Sequence, residues 1–269
     1  MKYYIIDVFT NELFKGNPAG VCLLDKWLDD SLLQSIAFEN NLSDTAFLVK
    51  QNGFYDLRWF TPTIEVDLCG HATAASAFVL FNFYEKDINE LTFKTKSGVV
   101  SVAKENDILF LEFPSRPATE CNNFKTFEKA FGCKPEAVFK AVDFLVLLKD
   151  ANTVKSLKPD FAVLKQIKEE AGLDSDSFGV IVTAKGDSDS ENYDFVSRFF
   201  APNLGIDEDP VTGRSHCTLI PYWSEKLGKT KMSAGQLSNR GGSLICEYMG
   251  SRVKIGGKAV CYLIGDLII

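Results

Sequence analysis

The sequence predicts an α+β fold of two pseudo-symmetric halves, each a strongly curved, mainly antiparallel, barrel-like sheet around a central helix. Three observations carry that expectation. First, Arg58-Trp59-Phe60-Thr61-Pro62, followed by Cys69-Gly70-His71-Ala72, returns as Arg198-Phe199-Phe200-Ala201-Pro202, followed by Thr212-Gly213-Arg214-Ser215-His216. The Arg-to-Gly spacing grows from 12 to 15 residues, and both histidines of the chain lie within three residues of the two glycines. Second, Gly70 to Phe83 carries Ala72, Ala74, Ala75, Ala77, Phe78, Val79, Leu80 and Phe81 with hardly a polar face, so it reads as a helix buried on nearly all sides. Third, short strand-like runs separated by glycine and asparagine turns flank both copies.

Along the chain, residues 2–9 alternate as a strand, and Gly16-Asn17-Pro18-Ala19-Gly20 turns into a second one. Residues 31–40 read as a helix with Asp29, Asp30 and Ser31 as capping candidates, ended by Asn41-Leu42-Ser43-Asp44. Strands follow near 45–50 and 54–60, and residues 90–113 read as three more. Pro114-Ser115-Arg116-Pro117 and Cys121-Asn122-Asn123 mark 114–135 as a linker, dividing the chain into 1–117 and 118–269, with the last strand able to return to the first half. The second half is expected to hold strands near 142–149, 178–184 and 191–200, and helices near 160–171 and 213–228. Pro221 should kink the latter or mark a start after a broken first turn.

Bulk properties narrow the function. A net charge of −7 and a pI near 5.0 argue against a nucleic-acid partner. No apolar run reaches membrane-spanning length and the N-terminus lacks a signal-peptide core, so a cytoplasmic protein with no membrane partner is expected. Seven widely spaced cysteines without a CxxC suggest neither a disulfide framework nor a metal site. Neither GxGxxG nor GxxxxGK[ST] occurs, so no cofactor is expected.

Chemistry concentrates at three places. Glu39 ends a helix just before a loop rich in hydroxyl and amide groups; it is either an exposed helix glutamate or, in a desolvating pocket, an acid-base group. Asp207-Glu208-Asp209 precede the second glycine-led helix, which suits N-terminal capping or, for Asp209, a second acid-base role opposite Glu39. Gly70 and Gly213 open helices whose N–H groups can hold a carboxylate or an enolate. His71 can relay a proton or be a satisfied polar residue, and Cys69 can be an activated or an inert thiol.

Together these motifs resemble the phenazine-biosynthesis F-like family of the diaminopimelate epimerase-like fold. The resemblance rests on Asp7-Val8-Phe9-Thr10, Gly16-Asn17-Pro18-Ala19, Glu39 with Asn41 to Thr45, Phe60-Thr61-Pro62, Asp67 to Thr73, and Glu208 to Gly213. It implies a cofactor-free homodimeric isomerase or epimerase, moving a proton on a small anionic, carboxylate-bearing metabolite in the cleft between the halves. Glu39 would be the main acid-base residue, with His71 and Asp209 assisting. Asn17, Ser43, Asp44, Gly70, Thr212, Gly213, Arg214 and Ser215 would line the substrate site, with Cys69 secondary. Two departures stand out. The family's phenazine enzymes place Ser directly after the second Thr-Gly, where this chain has Arg214, suited to a bidentate pair with a substrate carboxylate or to a differently filled pocket. Thr212 stands where two-thiol racemases carry their second cysteine, which argues against symmetric racemisation. A binding protein without chemistry, or a Cys69-based epimerase or dehydratase, is the alternative.

Overall fold

The computed structural model describes residues 1–121, 125–170, 178–187 and 193–269. Asn122 and Asn123 of the expected linker, residue 171 of the expected helix and the start of the strand expected at 191 lie outside them. The chain forms two compact units, Met1–Glu112 with Lys254–Ile269, and Phe113–Val253. Among the described residues no helix is long and apolar enough to cross a membrane.

The first unit runs β1 (Lys2–Val8), β2 (Asn17–Leu24), α1 (Asp30–Asn40), β3 (Asp44–Lys50), β4 (Tyr55–Phe60), β5 (Glu65–Val66), α2 (Gly70–Val79), β6 (Glu90–Thr95), β7 (Gly98–Glu105) and β8 (Ile108–Pro114). The second runs β9 (Thr119–Glu120), α3 (Lys125–Phe131), β10 (Ala137–Lys140), β11 (Phe144–Leu147), α4 (Ala151–Ser156), α5 (Phe161–Glu170), β12 (Val180–Lys185), β13 (Phe195–Ala201), β14 (Ile206–Asp209), α6 (Gly213–Leu227), β15 (Lys231–Gln236) and β16 (Gly242–Tyr248). β17 (Arg252–Gly257) then carries the chain back, and β18 (Ala259–Asp266) closes it. β18 pairs antiparallel with β1 from Lys2↔Asp266 to Val8↔Ala259, so the last strand folds with unit 1.

The sequence repeat is a repeat of topology. In unit 1, β1–β2 is antiparallel, β2–β3 parallel, β3–β4 and β4–β5 antiparallel, β4–β6 parallel and β6–β7 antiparallel. Unit 2 reproduces the series with β10–β11, β11–β12, β12–β13, β13–β14, β13–β15 and β15–β16. α2 and α6 occupy equivalent places. The small side chains of α2 let β1, β2, β3, β7 and β18 all contact it, and its residues from His71 to Ala77 are buried. Beyond Val79 the helix continues as one π-helical turn, Leu80–Tyr84. α1 lays Leu33, Ile36 and Ala37 on a cluster with Phe47 and Phe60.

Each copy of the motif is fastened by its arginine. Arg58 Nε donates to Glu65 Oε1 at 2.7 Å and its Nη2 to Oε2 at 2.8 Å. Arg198 does the same to Glu208 at 2.7 and 2.9 Å. Each guanidinium also lies over the phenylalanine two residues on, Phe60 or Phe200. The remaining donors diverge. Arg58 Nη1 reaches Asp30 in the first turn of α1, whereas Arg198 Nη1 takes the carbonyls of Val154 and Leu157 at the end of α4.

Four local expectations need correction. The stretch 114–135 is not a bare linker: it holds β9 and α3, whose Phe127 and Phe131 stack inside the unit 2 core. Asp29 occupies the N-cap of α1 without a side-chain cap bond, and Asp30 turns to Arg58 instead. Asp207-Glu208-Asp209 do not cap α6; they form or border β14, and the N-cap is Thr212, without a side-chain cap bond. α6 also runs through Pro221 unbroken. Proline has no N–H for the carbonyl four residues back, and here that carbonyl, Cys217 O, accepts from Arg116 N at 2.9 Å.

The Arg–Glu forks differ in burial, with Arg198 and Glu208 side chains 11% and 20% exposed against 23% and 25% for Arg58 and Glu65. Truncating Arg198 strands Glu208 and two helix-end carbonyls, so Arg198→Ala should cost about 3 kcal/mol of unfolding free energy. Arg58→Ala should cost less, roughly 1 kcal/mol. Urea unfolding of the two variants measures the difference.

Candidate active site

In unit 1 the site starts from the loop between β1 and β2. Asp7 is buried and its Oδ2 accepts Phe14 N at 2.9 Å, tying the loop down. Gly16 sits at φ 65°, and a Cβ there would lie 2.1 Å from Val8 O, so only glycine delivers the chain into Asn17. Asn17, fully buried, thereby stands opposite the loop that follows α1. Ser43 Oγ in that loop lies 3.1 Å from Asn17 Oδ1 and 3.2 Å from Pro18 O, both acceptors for its one proton.

His71, in the first turn of α2, joins these residues. Its Nε2 is 3.4 Å from Ser43 Oγ and 3.7 Å from Asp44 Oδ2, and its Nδ1 is 3.4 Å from Cys69 Sγ. Asn17 Oδ1 and Pro18 O both lie closer to Ser43 Oγ than Nε2 does, so we assign the Ser43 proton to them and the imidazole hydrogen to Nε2. Nδ1 then presents its lone pair to the Cys69 thiol. Two effects oppose each other at His71: the nearby Asp44 carboxylate favours a charged ring, and burial disfavours it. At 3.7 Å the Asp44 contact is beyond hydrogen-bond length, so burial wins and pushes the imidazole down to about 4. His71 is a neutral group at pH 7.

Asp44, Cys69 and His71 each offer an atom within 4.8 Å of the others, a donor set that zinc accepts. Cys69 lies nearer Nδ1 of the ring and Asp44 nearer Nε2. The ring thus links the Cys69 thiol on one side to the Ser43 hydroxyl on the other, with the Asp44 carboxylate nearby.

Glu39 lies in the last turn of α1 and is exposed to solvent. Asn41 ends the helix in the left-handed conformation at φ 48°, its N–H on Ala37 O, and so turns the chain from Glu39 into Ser43 and Asp44.

Unit 2 presents a different set. Asp209 closes β14, and its Oδ2 accepts the Thr212 hydroxyl in a short hydrogen bond. Gly213 opens α6 as Gly70 opens α2. Arg214 has a partner within its own unit. Its Nε and Nη2 already fork onto the buried Asp143, at 3.0 and 2.6 Å, and Asp143 Oδ1 also accepts Gly179 N. That fork occupies Nε and Nη2 and holds the guanidinium in place. Ser215 is buried and donates to Thr212 O, the N-cap carbonyl of its helix, at 2.8 Å. His216 Nδ1 also meets Thr212 O, at 2.8 Å, and burial pushes this imidazole down to about 4 as well. Sequence reasoning missed Asp143 and Gln236, the latter fully buried with its amide on the Asp209–Thr212 loop. No local pattern marks either one.

The profile of the family described as phenazine biosynthesis-like protein matches residues 6–265. An uncharacterized isomerase of Pseudomonas aeruginosa is 48% identical over 267 residues, covering 99% of this chain and 98% of that protein. A phenazine biosynthesis protein of the PhzF family from Enterococcus faecalis is 47% identical, with a TM-score of 0.93 over 100% of this chain and 99% of its own. A hydroxyproline epimerase from Agrobacterium vitis, 10% identical, shares the fold alone, with a TM-score of 0.64 over 98% of this chain and 91% of its own.

Both histidines take a proton near 6.5 when unfolded and near 4 when folded. Between those values the unfolded chain binds more protons, so stability falls as pH drops from about 6.5 to about 4, by roughly 3 kcal/mol per histidine. Urea midpoints at pH 7 and 4.5 should differ accordingly, and His216→Gln should make the decline shallower.

Proposed function

Because the chain belongs to the phenazine biosynthesis-like family, whose relatives and fold support an isomerase or epimerase class, we propose that it is a cofactor-independent isomerase moving one proton on a small carboxylate-bearing substrate. The observation that carries this reading is His71, kept neutral by burial and bridging Cys69 to Ser43 and Asp44 at the start of α2. Glu39 takes a proton from a C–H bond of the substrate. The electron pair left behind delocalises towards the substrate carboxylate, and Glu39 returns the proton to another atom, so the reaction has no net redox change. Glu39 is exposed, and a substrate that covers it would supply the desolvation that makes a carboxylate a useful carbon base. His71 and Asp209 assist, and the N–H groups opened by Gly70 and Gly213 favour the anion. The same reading takes the chain as a homodimer.

A second reading has a specific support. Cys69 Sγ lies 3.4 Å from His71 Nδ1, a contact that orients the thiol to serve as the acid-base group of an epimerase or dehydratase. Cys69→Ala separates the two readings: it leaves Glu39 chemistry running and abolishes thiol chemistry.

The test is deuterium wash-in followed by proton NMR in D2O, across small amino, hydroxy and dihydroaromatic acids. Glu39→Gln should slow exchange by about 100-fold or more while the amide spectrum stays native. Exchange at the wild-type rate in Glu39→Gln would sink the assignment. Saturable binding of an acid without exchange would make the chain a binding protein.

A further inference from the structure

The repeat supplies an internal control for Gln236. The β4–β5 register sets Glu65 opposite Phe60 and Val66 opposite Trp59; β13–β14 sets Glu208 opposite Phe200 and Asp209 opposite Phe199. Asp209 therefore stands where unit 1 has Val66, and Pro210 where it has Asp67. The β4–β6 pairing Tyr55↔Phe93 and the β13–β15 pairing Phe195↔Ala234 likewise align Gln236 with Thr95 and Ser238 with Ser97.

One part of the loop support is common to both units. Ser97 Oγ donates to Asp67 O, and Ser238 Oγ donates to Pro210 O, each at 2.8 Å. The other part is not. Thr95 Oγ1 merely bonds its own turn at Gly98 O, 2.8 Å away. Gln236 is fully buried and spends its whole amide on the acid-bearing loop. Its Oε1 accepts Thr212 N at 2.9 Å, and its Nε2 donates to Asp209 O at 2.8 Å and to Thr212 Oγ1 at 3.2 Å. The backbone N–H can only donate and the carbonyl can only accept, so the orientation of the amide is fixed. Thr212 Oγ1 receives the amide hydrogen, and its own proton is left to point at Asp209 Oδ2.

We propose that Gln236 is a positioning residue for the acid-base chemistry, one that fixes the Thr212 hydroxyl and through it aims the Asp209 carboxylate. The proposal rests on the reading of Asp209 as an assisting acid-base group. A residue needed only by the fold would be expected at the equivalent place in both units. Gln236 instead accompanies Asp209, and the unit with Val66 does without it.

The test follows the Asp209 carboxyl by 13C NMR titration of the full chain labelled at aspartate carboxyls, the signal assigned by its loss in Asp209→Asn. Gln236→Met keeps the length of the side chain and removes every polar bond. It should raise the Asp209 titration midpoint by about one pH unit, since hydrogen bonds to the charged form are lost. Thr212→Val should raise it similarly, and the double variant should go no further than Thr212→Val, because both act through one chain of bonds. Ser238→Ala, which loosens the same loop without touching that chain, should leave the midpoint in place. An unmoved midpoint in Gln236→Met, or additive shifts in the double variant, overturns the proposal. If Gln236→Met does not fold, an unmoved midpoint in Thr212→Val overturns it alone. The readout needs no substrate, so a failed exchange experiment and a failed Gln236 chain are separate results.

Discussion

A guanidinium forked onto a glutamate holds the exit of the central strand in each unit, and the rest of the site hangs from that junction. Arg58 and Glu65 fix where β4 turns into β5, and Arg198 and Glu208 fix where β13 turns into β14. The chain from each glutamate to the following helix is short, so the fork sets where Gly70 and Gly213 begin α2 and α6. Bidentate pairing gives direction as well as attraction, which a lysine in the same place would not supply. Two copies of one device thus produce two similar helix starts.

The copies have parted in chemistry while keeping their geometry. Unit 1 places a buried imidazole after its glycine, between a thiol and a carboxylate. Unit 2 places Arg214 there, locked to Asp143, and moves its acid to the strand end, where Val66 stands in unit 1. The common elements are backbone and fork. The differing elements are the side chains that carry protons. Burial decides the state of His71: in water a nearby Asp44 would favour the imidazolium, but the desolvation at the base of α2 outweighs it.

Much of this was legible in the sequence because its causes are local. The apolar stretch from Ala72 to Phe81 announced a central helix, the repeated Arg-aromatic-Phe-x-Pro announced two units, and the glycines marked both helix starts. What stayed hidden depends on distant partners. Nothing near Arg214 points to Asp143, 71 residues away, and nothing near Thr212 points to Gln236, 24 residues on. Nothing near Pro221 shows that the helix runs on through it, because the Arg116 N–H that takes up the released Cys217 carbonyl comes from far up the chain. The prolines and polar residues around 114–123 resemble a linker, yet Phe127 and Phe131 just beyond them form a helix face buried in the core. Glu39 was singled out by its place at a helix end, and whether a carboxylate there is buried or exposed turns on packing that no local pattern reports.

The central claim is that proton transfer runs beside an imidazole that is neutral and carries its hydrogen on Nε2. Long-range 15N–1H NMR of the two histidines, with His71→Gln to assign the signals, reads both properties directly. The account predicts a neutral His71 ring at pH 6 with the hydrogen on Nε2 and a bare Nδ1 facing Cys69. A protonated ring at pH 6, or a hydrogen on Nδ1, would contradict it.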